Sequence, residues 1–516
     1  MVRKIIGVIL LLPLVLILNC NKCSDQKPRD TYFMPLSGNI QSLNPRMVRF
    51  RPDYKIMRAI FGQLVGTDKD GYLSPEACFR WEISPDFKNY TLFLREDIQF
   101  HDGVPFTADD VLFSFEYGGK KPTLLYKILS DIEGYEDYFE GRSTTISGIK
   151  VPDKHTVKIS LKDPSTTFLY ALADARLVIL PNKFHGVDEK DFFVKPIGLG
   201  PYIFESWEND IIKMKRNDNF YGQKGRIERF VFLPMSKSEA LKKFEAHAVD
   251  DLATYKVDPS EIKRKDVNIY RGKGYGTHLL FFNVSKPPMD NEYLRLAVRA
   301  AFDKDKLVRK CYPDDDVAVG IIPIGLLGAI DDADKFNDLK KPVDYYISKS
   351  GLKKDQISKI TMIRFDEMKD DCFKPMIEEM FKANGLPIEV EFMSYEDGLK
   401  KIKKNEYHIL SDWLGVRSVD PIGIIHFFDG RSTWNLSNVN DKEVNHLIDI
   451  AESMRTKSAR AEVYRQINEI IVRKVYAIDL QYENRYFIYD KSVSGVDNPN
   501  PITFLVGFND IWFESN

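Results

Sequence analysis

The segment Gly71–Glu116 constrains the fold more than any other part of the chain, because it encodes a strand, a tight turn and a capped helix in close succession. Tyr90–Arg95 mixes aromatic, β-branched and apolar residues, which is typical of a half-buried strand. The Asp-Gly pair at 102–103 supplies the positive φ that a tight hairpin turn needs. Thr107 and Asp110 have the spacing of a capping box, so the sequence predicts that a helix begins there.

His101 and Asp102 are adjacent in this segment, and such a pair can serve catalysis or bind a metal. No second His/Asp pair lies nearby at ligand spacing, so we interpret the pair as a turn with an exposed histidine. The chain also lacks the Gly-x-Ser-x-Gly, His-Glu-x-x-His and Walker patterns, and none of its 8 histidines lie four residues apart. We therefore predict a protein that is not an enzyme and has no cofactor and no metal site.

Size and charge bound the remaining classes of function. The 516 residues suggest two to four domains of about 100–200 residues each, and a hydrophobic content of 43% is enough for large cores. Charged residues make up 29% of the chain but are mixed in sign, and the net charge is −2. The chain therefore has no global basic field that would indicate a nucleic acid as partner.

The N-terminus is predicted to be an export signal. Arg3 and Lys4 precede the apolar run Ile5–Leu18, which is shorter than the roughly 20 residues that a membrane-spanning helix needs. Cys20 then lies in a lipoprotein-like processing site and would become the lipidated first residue, although Asn19 stands where Gly, Ala or Ser is usual. The alternative is simple secretion, with Cys20 left in the discarded peptide. Export in either form predicts a periplasmic or cell-envelope protein.

The other four cysteines, at positions 23, 78, 311 and 372, are scattered along the chain. No two of these four cysteines form a Cys-x-x-Cys pair, so a zinc site or a redox pair is not predicted. An exported protein can form disulfides, but the sequence leaves the pairing open.

The opening segment closely resembles the signature of the extracytoplasmic solute-binding proteins of family 5, the peptide/nickel group, which are the capture subunits of ABC importers. The residues that match at fixed spacing are Leu73, Pro75, Trp81, Pro85-Asp86, Leu94-Arg95, Phe100-His101-Asp102-Gly103, Pro105, Thr107-Ala108 and Asp110-Val111. In that family the segment is scaffold, so it identifies the fold better than it identifies the solute.

Two further matches extend the resemblance over nearly the whole mature chain. The run Pro-Ile-Gly-Leu-Gly-Pro-Tyr at 196–202 resembles the family's Pro-hydrophobe-Gly-Thr-Gly-Pro-Tyr, with Leu199 in place of the Thr. This run lacks the third Gly and the Lys-Ser/Thr of a phosphate loop, and Pro201 removes an N–H donor, so we predict a structural turn. The third match comprises Phe282-Asn283, Pro287, Arg295-Leu296-Ala297 and Ala301-Phe302-Asp303-Lys304.

The resemblance implies an α/β fold of the two-lobed class II periplasmic-binding-protein type, with an additional α+β domain inserted in the first lobe. Alternating strands and helices after residue 360 favour parallel βαβ units in the second lobe. We take Leu279–Phe282 as the first strand that crosses between the lobes and Ala477–Tyr482 as the returning one. The expected divisions are a signal peptide at 1–19, a tether at 20–30, the first lobe at 31–55, 191–278 and 485–516, the extra domain at 56–190 and the second lobe at 279–484.

Most candidate ligand residues lie in the second lobe. In the dipeptide-binding branch of the family, an Arg at the position of Arg364 binds the ligand's terminal carboxylate, and a guanidinium fork suits that role. Trp413 lies in a stretch that resembles the family's Gly-Trp-x-x-Asp-x-x-Asp/Glu-Pro loop, where the Trp lines the pocket and the first Asp holds the peptide's amino terminus. Gly38, in the turn after the predicted strand Thr31–Leu36, lies where the family has the wall of its cleft.

The amine anchor of that loop departs from the family pattern. Val416 and Arg417 stand where the first Asp belongs, so the anchor is missing or is replaced by Asp412 or Asp420. An Arg in that place would repel an ammonium group and attract an anion. The full set of ligand candidates is Arg364, Trp413, Asp412, Arg417, Asp420 and Gly38.

The resemblance implies a clamp that closes on a solute by hinge motion and delivers it to an ABC permease in the membrane. Peptide is the predicted solute, a lipid anchor is the predicted membrane contact, and a monomer is expected. The alternatives are a non-peptide anionic solute or a metal chelate bound by the same fold, or a surface lipoprotein that binds a partner.

Overall fold

The structure of the protein, a computed structural model, describes residues 30–47, 51–120, 125–174, 176–368, 370–416, 419–432, 434–454, 456–497 and 506–514. Cys20, the predicted signal peptide and Arg417 lie outside these residues. Within the described ranges, no helix has the length and hydropathy of a membrane span.

The strands that the structure describes are β1 Thr31–Leu36, β2 Val65–Thr67, β3 Leu73–Pro75, β4 Cys78–Ile83, β5 Asn89–Leu94, β6 Ile149–Asp153, β7 Thr156–Ser160, β8 Tyr202–Glu208, β9 Ile211–Arg216, β10 Arg229–Pro234, β11 Val267–Phe282, β12 Asp316–Val317, β13 Ile360–Phe365, β14 Ile388–Met393, β15 Ile409–Gly415, β16 Ala477–Asp490, β17 Val493–Ser494 and β18 Trp512–Phe513.

The α-helices are α1 Arg51–Ile60, α2 Ala108–Gly119, α3 Tyr126–Leu129, α4 Tyr135–Phe139, α5 Phe168–Leu172, α6 Glu189–Phe192, α7 Lys237–Glu245, α8 Glu292–Ala301, α9 Lys304–Cys311, α10 Val343–Ser350, α11 Phe373–Ala383, α12 Tyr395–Lys403, α13 Ile422–Ile425, α14 Lys442–Ser453 and α15 Lys457–Arg473. Short 3₁₀ segments lie at Pro45–Met47, Asn182–Gly186, Pro259–Glu261, Ala333–Leu339, Lys354–Gln356, Asp366–Met368 and His426–Phe428.

The first lobe is built on a four-stranded sheet with the order β1-β10-β9-β8, in which β1 runs parallel to β10 and the other pairs are antiparallel. A segment around residue 251 then links β1 to β16. The backbone N–H of Asp250 donates to the carbonyl of Phe33 at 2.9 Å, and that of Leu252 donates to the carbonyl of Ile488 at 2.8 Å. The first lobe's sheet is therefore connected through backbone hydrogen bonds to a strand that continues into the second lobe.

The extra domain has its own antiparallel sheet, with the order β4-β5-β7-β6, and its own hydrophobic core. Tyr90, Leu92 and Leu94 of β5 are buried at alternate positions, as the sequence pattern predicted. The carboxylate of Asp110 accepts a hydrogen bond of 2.7 Å from the backbone N–H of Thr107, so α2 begins at the predicted cap.

Two long strands, β11 and β16, pass from one lobe into the other. Residues 267–273 of β11 pair with residues 484–490 of β16 beside the first lobe's sheet, and residues 277–281 pair with residues 477–482 inside the second lobe. Both predicted crossing segments are strands, but each observed strand is longer. The first half of β11 alternates Gly272, Gly274 and Gly276 with polar and aromatic residues. It therefore lacks the hydrophobic pattern from which a strand is predicted.

The second lobe contains a six-stranded mixed sheet with the order β12-β16-β11-β15-β13-β14, in which β13 runs parallel to β14 and to β15. One hydrophobic core covers each face of this sheet. A disulfide joins Cys311, at the end of α9, to Cys372, directly before α11, which answers the pairing that the sequence left open. Cys78 is free, and burial raises the pKa of its thiol to about 11.

His101 and the Gly-x-Gly run of the sequence meet in one structural contact. The Nε2 atom of His101 lies 3.0 Å from the carbonyl oxygen of Gly200, and the N–H of Gly198 donates to Nδ1 at 3.3 Å. Burial lowers the pKa of this imidazole to about 4, so it is neutral near pH 7. The predicted turn is correct, but the histidine is half-buried rather than exposed, because it fixes the neighbouring loop.

Gly200 lies against the end of α1, and we predict that an alanine there destabilises the protein. Its N–H donates to the carbonyl of Ile60 at 2.9 Å, and an added Cβ would collide with the backbone of Ala59 and Ile60. We expect Gly200→Ala to lower the free energy of unfolding by about 2 kcal/mol, as measured by urea denaturation. Gly423→Ala is the control, because a Cβ at position 423 meets open space. Equal stability of the two variants would contradict this account of the loop.

Candidate functional site

The carboxyl ends of β13 and β15 form the edge of the second lobe that faces the first lobe. β13 and β15 run parallel, whereas β11, which enters from the first lobe, runs antiparallel to β15 and pairs Gly276 with Gly415. The end of β15 therefore lies beside the point where β11 enters the second lobe. Ligands of open α/β sheets bind outside the carboxyl ends of parallel strands, so we take this edge as one wall of the candidate site.

The opposite wall lies at the carboxyl end of β1. β16 runs from the second lobe into the first lobe. Asp251 forms an antiparallel β-bridge with Tyr489 of β16, and β1 runs in the same direction as the segment that contains Asp251. β1 therefore points back towards the second lobe, and Gly38 follows it in an exposed turn. The ammonium of Lys256, also in the first lobe, lies 3.7 Å from the carboxylate of Asp315 in the second lobe. The two carboxyl edges thus lie on facing sides of the crossing strands.

Arg364 lies near the end of β13, and its side chain is almost fully buried, with 2% exposed. Its Nε donates to the carbonyl of Met368 at 3.0 Å. Its Nη2 donates to the hydroxyl of Tyr312 at 2.8 Å and to the carboxylate of Asp370 at 3.1 Å. The guanidinium carbon lies 3.8 Å from the centre of the Phe373 ring, a cation–π contact. The remaining nitrogen, Nη1, is buried and has no hydrogen-bond partner in the described part of the chain.

His278 and Trp413 lie on the same face of the sheet as Arg364. They are directly paired across β11 and β15, and their ring centres are 5.8 Å apart. His278 is buried, with Nε2 at 2.9 Å from the hydroxyl of Ser411, and burial together with the charge of Arg364 holds its pKa well below the usual value. Trp413 is half-buried, and its indole lies over Gly276, where a Cβ would be 2.8 Å from the ring. Trp413 therefore lies at the edge of the candidate site.

Asp412 precedes Trp413 and so points to the opposite face of β15. In the described ranges its hydrogen-bond partner is the backbone N–H of Trp413, 2.8 Å from Oδ1, and it has no cationic partner there. Burial raises the pKa of this half-buried carboxyl to about 6. Because the pKa is higher in the folded chain, stability falls as the pH rises from about 4 to about 6. A cation that approaches Asp412 would offset this cost.

Asp420, the other carboxylate that could replace the family's amine anchor, is engaged inside the second lobe. Its side chain is buried and accepts hydrogen bonds from Arg460 Nε at 3.0 Å and from the hydroxyl of Tyr464 at 2.8 Å. The N–H of Ile422 donates to the same carboxylate at 3.2 Å. Asp420 therefore ties α15 to the start of α13, a structural contact.

Sequence reasoning did not single out His278, Tyr312 or Asp370. They approach Arg364 from three separate elements, and such contacts have no local signature in the sequence. The one available signal was Asp370, because an Asp shortly before an amphipathic run indicates a helix start. Arg417 lies outside the described residues, so its ligand role stays a prediction. Val416 is buried, and its N–H donates to the carbonyl of Tyr275 at 3.3 Å.

A cavity of about 600 Å³ lies away from this edge, between the extra domain and the last part of the first lobe. Its lining includes the ion pair of Arg58 and Glu76, at 3.4 Å, and Tyr221, but nothing from the second lobe. A clamp needs groups from both lobes, so we place the candidate site between the carboxyl edges. Over the ranges that the structure covers, no three His, Cys, Asp or Glu side chains come together as a metal-binding group.

Comparisons with known proteins agree with this architecture. The sequence profile described as "Bacterial extracellular solute-binding proteins, family 5 Middle" matches residues 73–435. The dipeptide-binding protein of Escherichia coli K12 is 26% identical over 496 residues, which cover 89% of this chain and 90% of that protein.

Two solved structures share the fold. The murein tripeptide-binding protein MppA of Escherichia coli, in its unliganded open form, superposes with a TM-score of 0.80 at 19% identity, covering 94% of this chain and 98% of that chain. The binding protein AgaA from A. tumefaciens R10, in complex with agropinic acid, superposes with a TM-score of 0.74 at 22% identity, covering 94% and 99% respectively.

The buried pair of Asp420 and Arg460 generates a prediction that separates a structural role from a ligand role. Asp420→Ala leaves Arg460 buried without its partner, so we expect the free energy of unfolding to fall by about 3 kcal/mol, as measured by urea denaturation. Asp449→Ala is the control, because Asp449 is 54% exposed in its pair with Arg431, and a loss below about 1 kcal/mol is expected there. Unchanged stability with lost solute binding in Asp420→Ala would instead assign Asp420 to the ligand.

Proposed function

The chain belongs to the bacterial extracellular solute-binding proteins of family 5, and from this membership we propose that it is the binding subunit of an ABC importer. In this role it captures peptides between its two lobes outside the cytoplasm and delivers them to the membrane permease. The proposal assigns binding and release to the protein, with no catalytic step and no cofactor.

The facing carboxyl edges of β1 and of β13 and β15 are the observation that carries this proposal. They belong to different lobes, and the lobes are connected through the crossing strands β11 and β16. Relative motion of the lobes about these strands would open and close the space between the edges. A solute enclosed there loses its contact with water, which strengthens its hydrogen bonds and charge interactions with the walls.

We assign the ligand contacts to four described residues and one that lies outside the described part. Arg364 offers its unpartnered Nη1, Trp413 offers a ring face, and Gly38 leaves open space at the opposite wall. Asp412 offers a carboxylate without a cationic partner, and Arg417 is retained from the sequence. Because Asp412 and Trp413 lie on opposite faces of β15, a solute that touches both must run across the end of that strand.

Asp412 is the proposed anchor for the peptide's α-ammonium group. It stands four residues before the family's anchor position, which is Val416 in this chain. A peptide ammonium titrates near pH 8, so between about pH 6 and 8 the two groups carry opposite charges. Below pH 6 Asp412 becomes protonated, and the attraction is lost.

A non-peptide solute with an anionic group is the second candidate. The complex of AgaA with agropinic acid has the same fold, so the fold itself does not restrict the solute to peptides. Val416 in place of the family's anchor carboxylate, followed by Arg417, favours this candidate. Asp412 favours the peptide.

We further propose that the signal peptide is removed before Cys20 and that a lipid on Cys20 holds the protein at the membrane. The domains then follow the ranges predicted from the sequence, with residues 20–30 as tether. The apolar run Ile5–Leu18 followed closely by Cys20 supports this proposal.

The peptide assignment predicts that the affinity depends on pH because it depends on the ionised carboxylate of Asp412. Isothermal titration with di-, tri- and tetraalanine should show binding at pH 7.5, about tenfold weaker binding at pH 5, and at least tenfold weaker binding after N-acetylation of the peptide. Asp412→Asn should remove both the difference between the two pH values and the difference between free and N-acetylated peptide. Asp366→Asn is the matched control, because Asp366 is exposed directly after β13. The absence of peptide binding to the folded wild type, with an anionic solute recovered from the purified protein by mass spectrometry, would favour the second candidate.

The lipid anchor is tested by cell fractionation of the full chain. Cys20→Ser should move the protein from the membrane fraction to the soluble fraction, because the site of lipid attachment is removed. Cys23→Ser, three residues later, is the matched control and should stay with the membrane. Soluble wild-type protein whose N-terminus begins beyond Cys20 would indicate simple secretion.

A further inference from the structure

We propose that Asp370 determines the specificity of the pocket at Arg364. By neutralising the guanidinium in place, it makes this pocket select an uncharged hydrogen-bond acceptor of the solute, such as an internal peptide carbonyl or a terminal carboxamide, rather than a free carboxylate. This inference rests on the proposed function and concerns the chemical group that the peptide presents to Arg364.

Arg364 has one donor nitrogen left for a solute. Nε is taken by the carbonyl of Met368, and Nη2 by Tyr312 and Asp370. A free carboxylate binds a guanidinium best as a fork, which needs two parallel N–H donors on one side of the group. With Nε and Nη2 taken, Nη1 is the nitrogen without a partner, and a single carbonyl oxygen is the acceptor that matches it.

Asp370 cannot easily move away to admit a carboxylate. Its Oδ1 accepts hydrogen bonds from the backbone N–H groups of Cys372 at 3.0 Å and Phe373 at 2.6 Å, at the start of α11, where a negative charge is favoured. Its Oδ2 accepts from the hydroxyl of Tyr312 at 2.9 Å as well as from Arg364. Both carboxylate oxygens are therefore fixed.

The disulfide between Cys311 and Cys372 fixes these partners further. Tyr312 follows Cys311 directly, and Asp370 lies two residues before Cys372. The covalent bond thus holds together the two segments that supply the partners of Nη2. Displacing either partner would require both segments to shift, so the neutralised arginine is part of the resting pocket.

The charges around Nη1 sum to zero, so no net positive charge remains there to attract an anion. Arg364 contributes one positive charge, Asp370 contributes one negative charge, and the buried His278 is neutral because its pKa lies well below the usual value. A solute carboxylate would give this buried site a net negative charge and place two carboxylates around one guanidinium, which is unfavourable away from water. An uncharged acceptor satisfies Nη1 without that cost.

Peptide pairs that differ only at the C-terminus test this inference. We would titrate di-, tri- and tetraalanine and their C-terminal amides into the wild type, Asp370→Asn and Asp371→Asn by calorimetry at pH 7.5. The wild type should bind each amide at least as tightly as the acid, to within about threefold. Asp370→Asn, which keeps an oxygen for capping α11, should favour at least one acid over its amide by about tenfold or more. Asp371→Asn, at an exposed neighbouring carboxylate, should match the wild type.

Two results would overturn the inference while leaving the proposed function intact. One is a wild type that prefers an acid over its amide by more than about threefold, a measurement that does not depend on the folding of any variant. The other is an acid-to-amide ratio in folded Asp370→Asn that equals the wild-type ratio at every length. If neither acids nor amides bind the folded wild type, the proposed function fails, and this inference fails with it.

Discussion

The antiparallel pairing of β11 with β16 is the interaction on which the rest of the structure depends. Residues 267–273 of β11 and 484–490 of β16 extend the first lobe, and residues 277–281 of β11 and 477–482 of β16 lie inside the second lobe's sheet. The ladder is interrupted between Lys273 and Thr277, where β11 leaves its regular register with β16. Because the strands fix the direction in which each sheet runs, the carboxyl ends of β1, β13 and β15 are brought to the same gap. A binding edge on each side of that gap follows from topology alone.

Much of the fold could be predicted from local patterns, because the elements concerned are specified by residues close together in the sequence. The cap at Thr107, the half-buried strand predicted at Tyr90–Arg95 and the alternation of strands and helices after residue 360 are set by neighbouring residues, and the structure has each of them. The first half of β11 could not be predicted in this way. Its glycines remove the side chains that mark a strand, and its stability comes from backbone bonds to residues more than two hundred positions away.

The candidate site also has features that the sequence predicts and features that it does not. The sequence named Arg364, Trp413 and Asp412 as candidates, and in the structure they lie near the carboxyl ends of β13 and β15. The partners of those residues were not readable, since Arg364 meets Tyr312 and Asp370 only after α9 and α11 pack on the sheet. A resemblance transfers the identity of a residue from one protein to another. It does not transfer the neighbours that decide how much of its charge is available.

Three aspartates show how strongly the neighbouring residues determine the charge that a side chain can offer to a solute. Asp420 is neutralised by Arg460, Asp370 neutralises Arg364, and Asp412 has no cation beside it in the described chain. Residue type is the same in all three cases, so the difference lies entirely in pairing. The carboxylate of Asp412 thus lies half-buried at the second lobe's edge without a counter-charge from the described residues. A solute that complements such an edge carries a positive group for Asp412 and an uncharged acceptor for Arg364, which is the pattern of a peptide bound by its amino end and its backbone.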